Sequence, residues 1–218
     1  DQPAWLSVAI VQTKAGHAPD FEALAGDLMH AQQEAGMPAS QIYEVILGNA
    51  GEYHIVTPVA SIAATETSPP PMAPEAMAVW LSRVTQHIDS VRFFYSQIHA
   101  EHSIQTDAGG SAPFLLLQTV RTVAGMEDEY VEWIADFLMP ALRGSDVAGH
   151  TLSSGVFGDS PQNFYHAIPV TGWAYLDQPH PLARSMGQRA FEQLMGRTEG
   201  LVESNSIVIA RARNDLMP

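Results

Sequence analysis

Apolar residues fall in short runs, broken by polar, glycine-rich or proline-rich stretches. LSVAIVQ (6–12) and FLLLQTV (114–120) are dense in β-branched or large apolar residues and predict strands. After each run the apolar spacing becomes helical. Phe21, Leu24 and Leu28 form one stripe behind Pro19 and Asp20. Tyr130, Ile134, Phe137 and Leu138 form the other, behind Glu127, Asp128 and Glu129, which suit a positive helix N-terminus. Gly36 and Gly144 predict helix stops, and Pro140 predicts a bend or an end. Two strands follow each helix: 42–48 with 53–59, and 151–158 with 164–170, joined by the turn sequences NAGE and DSPQN. The proline-rich passages TSPPPMAP (67–74) and DQPHP (177–181) lead into second helices over 74–88 and 181–195. Long strands over 91–103 and 204–213 close the two series.

The order β-α-β-β-α-β thus occurs twice, and three pairs of segments keep their order. Ala15–Gly16 matches Ala124–Gly125, Tyr53–His54 matches Tyr165–His166, and the segment from Arg83 matches the one from Arg197. This predicts an α+β fold of two tandem ferredoxin-like repeats, over 1–105 and 113–218, with a small-residue linker TDAGGSA at 106–112. Several strands are apolar on both faces, so the two antiparallel sheets are expected to pack face to face as an intramolecular α/β barrel.

Composition narrows the partners. Acidic residues outnumber basic ones 24 to 10, a formal charge of −14, and Lys14 is the single lysine. Nucleic acid and anionic membrane surfaces need clustered basic residues and are not expected. No apolar run approaches the ~20 residues of a spanning helix. With no cysteine, disulfides, thiolate metal sites and cysteine nucleophiles are excluded. The compartment stays open: the sequence starts at Asp1 without Met, which fits a cleaved export signal or a sequence trimmed in another way, and a periplasmic or secreted location leans slightly ahead of the cytoplasm.

The strand–AG–helix openings, the helix end WIADFLMPAL (133–142) and the YH strands resemble the dimeric α/β-barrel superfamily in its tandem-fused form, on the side of the NIPSNAP and antibiotic-monooxygenase-like branches. The resemblance implies cofactor-independent monooxygenases, haem-handling enzymes, isomerases and members without assigned activity. It also implies ligand clefts between a sheet and its helices.

Candidate chemistry rests on three histidines. His54 and His166 are equivalent in the Tyr-His alignment and read as acid/base groups, or as strand histidines bonded to a neighbour or facing water. Along 91–103, alternation puts Phe93, Tyr95, Gln97, His99 and Glu101 on one face, with Glu101 supporting His99; a solvated strand end reads equally well. Arg211 occupies the matching end of the second copy, and Tyr165 and Trp173 are pocket candidates for a flat ligand. No metal site is expected, since His99 and His102 would point to opposite faces of a strand. No cofactor is expected either, with haem on His150, His166 or His180 as the lesser alternative. The functional expectation is a cofactor-independent monooxygenase or isomerase acting on an apolar or aromatic small organic molecule. The alternative is a non-catalytic ligand-binding or assembly protein. A homodimer is compatible with either.

Overall fold

A computed structural model describes residues 4–105 and 112–217. The expected linker at 106–112 lies, apart from Ala112, outside the described residues. The strands are β1 (Trp5–Thr13), β2 (Gln41–Leu47), β3 (Glu52–Val59), β4 (Ile88–Ile98), β5 (Phe114–Thr122), β6 (Thr151–Phe157), β7 (Asn163–Val170) and β8 (Val202–Ala212). Hydrogen-bonded neighbours run β1-β3-β2-β8-β5-β7-β6-β4 and close into an eight-stranded antiparallel barrel, so the expected mixed α+β barrel is the fold observed. Within that circle the runs β4-β1-β3-β2 and β8-β5-β7-β6 each have the ferredoxin-like order.

The chain divides into two compact units, residues 1–96 with 210–218, and residues 97–209. In the first unit, α1 (Ala18–Glu34) begins with proline and carries Asp20 in its first turn. Its buried stripe of Phe21, Leu24, Ala25 and Met29 packs on Val11, Ile42 and Tyr53. A short α2 (Ala64–Thr67) precedes α3 (Pro74–Val84), whose Val84 joins the same core. Trp80 Nε1 donates to the Leu24 carbonyl at 2.8 Å and ties α3 to α1. Each large side chain buried this way contributes roughly 1.5–3 kcal/mol. The helix ends at Val84 rather than at the expected 88, because β4 already starts at Ile88.

In the second unit, α4 (Glu127–Trp133) widens into a π-helical turn at Ile134–Leu138 and resumes as α5 (Met139–Arg143). The expected break at Pro140 takes this milder form: the missing N–H is absorbed by a wider turn just ahead of it. Tyr130, Trp133, Ile134, Leu138 and Leu142 cover Val120, Leu152 and Phe164. Beyond the short α6 (Trp173–Leu176), the helix expected over 181–195 is two: α7 (Pro181–Met186) and α8 (Gln188–Gly196). Gly187 between them has φ +86°, a left-handed conformation that ends one helix and lets the chain restart.

The strand expected over 91–103 ends at Ile98, and Ala100–His102 form a 3-10 turn. Alternation therefore stops before His99. The expected common face carrying both His99 and Glu101 is replaced by a turn, which stacks the rings of His99 and His102 at 6.3 Å instead of setting them on opposite faces.

Candidate functional site

The second unit concentrates the polar groups that are hardest to bury. In β7, the buried positions are Phe164, His166, Ile168 and Val170, the alternate set that faces the helices. His166 therefore sits in an apolar row and must be satisfied from within. Its Nε2 lies 2.9 Å from Tyr130 Oη, and its Nδ1 lies 2.9 Å from His150 Nε2. Burial pushes the His166 imidazole down to about 3, with the neighbouring His150 adding to the effect. Burial likewise pushes His150 down to about 4, partly opposed by the His102 backbone carbonyl. Both rings are neutral near pH 7. Burial also raises the Tyr130 phenol well above its usual range. One assignment of protons satisfies the row: Tyr130 O–H donates to His166 Nε2, and His166 Nδ1–H donates to His150 Nε2. His150 Nδ1 then carries the last proton. It is buried and makes no hydrogen bond of standard geometry, although the His102 carbonyl is close enough to favour its protonation.

This row ends beside the 3-10 turn. His150 and Ile104 exchange backbone hydrogen bonds of 2.9 and 2.7 Å, and His99 N–H donates to the Leu152 carbonyl at 2.9 Å. Ser103 Oγ donates to the His99 carbonyl and accepts from Leu152 N–H. These bonds fix His99 with Nε2 at 2.9 Å from Ser154 Oγ and its ring 6.2 Å from that of Phe164. Burial lowers the His99 pKa, opposed by Glu101 and helped by His102. Glu101 Oε1 stands 3.9 Å from His99 Nδ1 and 3.7 Å from His102 Nε2, with its side chain 66% exposed.

His54 is placed differently. It belongs to the first unit, and its Nε2 lies 2.6 Å from Glu52 Oε1. That hydrogen bond is the main reason the Glu52 carboxyl is held below its usual value. The alignment that paired His54 with His166 is off by one position. The strand ladders set Tyr53 opposite Val11 and Phe164 opposite Val120, so Tyr53 corresponds to Phe164 and His54 to Tyr165. A one-residue slip moves every side chain to the other face of a strand. Tyr165 accordingly lies on the face opposite His166 and donates to Asp159. Gly155 makes room for that acceptor, since a Cβ there would meet Asp159 Oδ2 at 2.5 Å.

The remaining nominees are scattered. Tyr95 packs edge-on against Phe93, in the first unit. Trp173 is 52% exposed and leans on Phe114. Arg211 pairs with Glu44 at 2.5 Å and is committed to a carboxylate. It adjoins a network that the sequence did not reveal: Arg213 bonds Glu22, Glu44 and Asp215, and Tyr53 Oη donates to Glu22 at 2.6 Å. Thus the structure brings His99 and Glu101 together near the buried His166 row. His54, Tyr95 and Arg211 belong instead to the first unit, and Tyr165 and Trp173 have other neighbours. Of the groups gathered here, Ser154 is the one that sequence reasoning missed, and His150 is nominated there only as an alternative haem ligand. Tyr130 reads as part of a helix stripe, with no signal that its hydroxyl meets a histidine, and nothing in the spacing singles out Ser154.

Neither a family model nor a curated protein matches the sequence. Solved structures do match. The "putative monooxygenase" of Fusobacterium nucleatum subsp. nucleatum superposes with a TM-score of 0.66 at 8% identity, over 97% of this chain and 93% of that one. An anthrone oxidase-like protein gives 0.62 at 10% identity, over 97% and 92%. A haem-binding protein from Thermus thermophilus gives 0.53 at 10% identity, over 96% and 91%. The last match corrects the expectation that no cofactor is involved, because the same fold serves a protein that binds haem. The histidines nominated as axial ligands nevertheless do not fit that group. His166 has both ring nitrogens bonded inside the core. His150 spends Nε2 on His166, and its Nδ1 is sealed in a residue only 1% exposed. His180 turns Nδ1 to the Leu182 N–H, capping α7, and lies flat against Phe191. What these likenesses establish is architecture: the chain shares the closed, eight-stranded antiparallel α+β barrel fold of those structures.

Proposed function

We propose that the second unit is the working half of a monooxygenase-like enzyme for small apolar or aromatic organic molecules, and that His99 moves the proton. One observation carries this reading. A histidine whose pKa is lowered by burial holds a hydroxyl at 2.9 Å from Nε2, at the edge of an aromatic cluster. A neutral imidazole in that position accepts a proton from an acidic O–H or C–H of a bound substrate. Ser154 Oγ marks where the substrate oxygen or carbon would come. Glu101, 3.9 Å from Nδ1, steadies the imidazolium once it forms. Phe164 supplies an apolar wall, and the Tyr130–His166–His150 row holds that wall and the adjoining turn in place. The proton step serves oxygenation and isomerisation alike. The monooxygenase and anthrone oxidase names of the matching structures incline the reading towards oxygenation of a phenolic, enolisable polycycle.

The test is turnover of anthrone-type phenolic polycycles by the intact chain and by His99→Ala and Ser154→Ala. His99→Ala should lower kcat by about 100-fold or more, the usual scale for a general base, with substrate affinity little changed. Ser154→Ala should alter KM more than kcat. Undiminished kcat in His99→Ala defeats the proposal. Saturable binding without turnover by the intact chain would instead make this a ligand-binding protein on the same fold.

A further inference from the structure

The first unit holds a second cluster of histidines, remote in sequence and outside the proposed proton chemistry. His17 stands just before α1, Asp20 lies in its first turn, and His87 lies in the turn between α3 and β4. Their donor atoms converge. His17 Nδ1 is 3.0 Å from His87 Nδ1, Asp20 Oδ2 is 3.7 Å from His87 Nδ1, and it is 4.0 Å from His17 Nδ1. The nearest point equidistant from the three donors lies in their plane, about 2.1 Å from each, so an ion raised out of that plane to admit a fourth ligand needs only a small closing of the triangle to reach zinc–imidazole and zinc–carboxylate bond lengths. The backbone holds the frame: Lys14 N–H donates to the His87 carbonyl at 3.0 Å, and His17 N–H to the Lys14 carbonyl at 3.0 Å.

We propose that His17 Nδ1, His87 Nδ1 and Asp20 Oδ2 form a binding site for a divalent transition-metal ion of the zinc type, with water completing a tetrahedron on the exposed side. Two imidazoles and one carboxylate are the donors such ions prefer. Two nearby positive features oppose a cation held by charge alone. One is the N-terminal end of α1, and the other is Lys14, whose Nζ is tethered to the Gln86 carbonyl at 2.9 Å. Calcium and magnesium, which seek oxygen, are therefore poor candidates. Binding needs both Nδ1 atoms unprotonated, so each ring must carry its proton on Nε2, and affinity falls as the solution is acidified. The bound ion would clamp the α3–β4 turn to the start of α1.

The experiment is titration of the full chain with Zn²⁺ near neutral pH, by calorimetry and by thermal melting. One ion should bind per chain with raised melting temperature. Affinity should drop at least tenfold in His17→Gln and in His87→Gln, and should persist in His30→Gln, an exposed histidine elsewhere on α1. Unchanged affinity in both site variants, or no saturable binding by the intact chain, overturns the proposal. If a variant fails to fold, histidine ¹⁵N resonances of the intact chain decide the matter. Zn²⁺ must shift the Nδ1 signals of His17 and His87, and shifts confined to other histidines overturn the site.

Discussion

In β3 the tyrosine of the Tyr-His pair turns to the helices. Tyr53 is buried against Phe21, with ring centroids 4.9 Å apart, and its hydroxyl reaches Glu22, while His54 lies on the opposite face with Glu52. In β7 the histidine takes the helix side. His166 is buried beside Phe164, and Tyr165 looks the other way towards Asp159. The two strands carry the same two letters, displaced by one position against their neighbours. In a strand that displacement exchanges core for periphery. A motif shared by two strands is therefore no guide to shared duty until each strand's register against its partner is known.

The sharpest way to break this comparison is truncation of the residues it equates. Tyr53→Ala and Phe164→Ala should each cost about 3–5 kcal/mol in denaturant unfolding, as large buried aromatics do. Tyr165→Ala should cost well under half as much. Comparable losses for Tyr165 and Phe164 would restore the letter-for-letter pairing.

Next in size is the buried histidine. His166→Leu strands Tyr130 Oη and His150 Nε2, and should cost roughly 2–3 kcal/mol. His54→Ala, on the other face, should cost less than about 1 kcal/mol. Equal effects would erase the distinction between the two rings.

Acid response sharpens the same contrast. His150 and His166 have folded pKa values pushed below the ordinary 6.5, so below that pH the unfolded chain binds more protons than the folded one. Their contribution is complete above about 6.5 and is lost as pH falls from there, down to about 4 for His150 and about 3 for His166, with up to about 1.4 kcal/mol per pH unit from each. Unfolding midpoints measured across that window should fall steeply for the native chain and less steeply for His166→Leu. Matching slopes would mean the row is already charged or solvated.

The smallest effect expected is that of Tyr53→Phe. It leaves the ring in place and removes one hydrogen bond from Glu22, which keeps Arg213, and should cost about 1 kcal/mol. A much larger loss would mean that the Tyr53 hydroxyl anchors the whole Arg213 network.

Apolar periodicity made most elements legible. The runs that became β1, β2, β3, β5, β6 and β7 are short, apolar and bounded by turn residues, and α1 and α4 begin at proline or acidic residues. The failures have local causes. Nothing in IHAEH signals that a strand stops at Ile98 and a 3-10 turn begins, yet that turn is what brings His99 to Ser154. His150 and Tyr130 meet His166 from different elements, and contacts set by tertiary packing leave no spacing to read. The same holds for His17 and His87, seventy positions apart and joined only by folding. The misaligned pair had a readable warning. In FYHAIPV the bulky residues Phe164, Ile168 and Val170 fall on the set that includes His166 and excludes Tyr165, so weight of side chain, rather than identity of letters, pointed to the buried row.

The membership of the first unit has a consequence for biosynthesis. Its last component is residues 210–218, where Arg213 grips Glu22 and Glu44 and its backbone N–H reaches the Ile42 carbonyl. In a growing chain residues 1–96 are therefore made well before the clasp that finishes them. Of the two units, the one made first is thus completed after the other, and loss of residues 210–217 would injure the helix and strands that Arg213 ties together near the opposite end of the sequence.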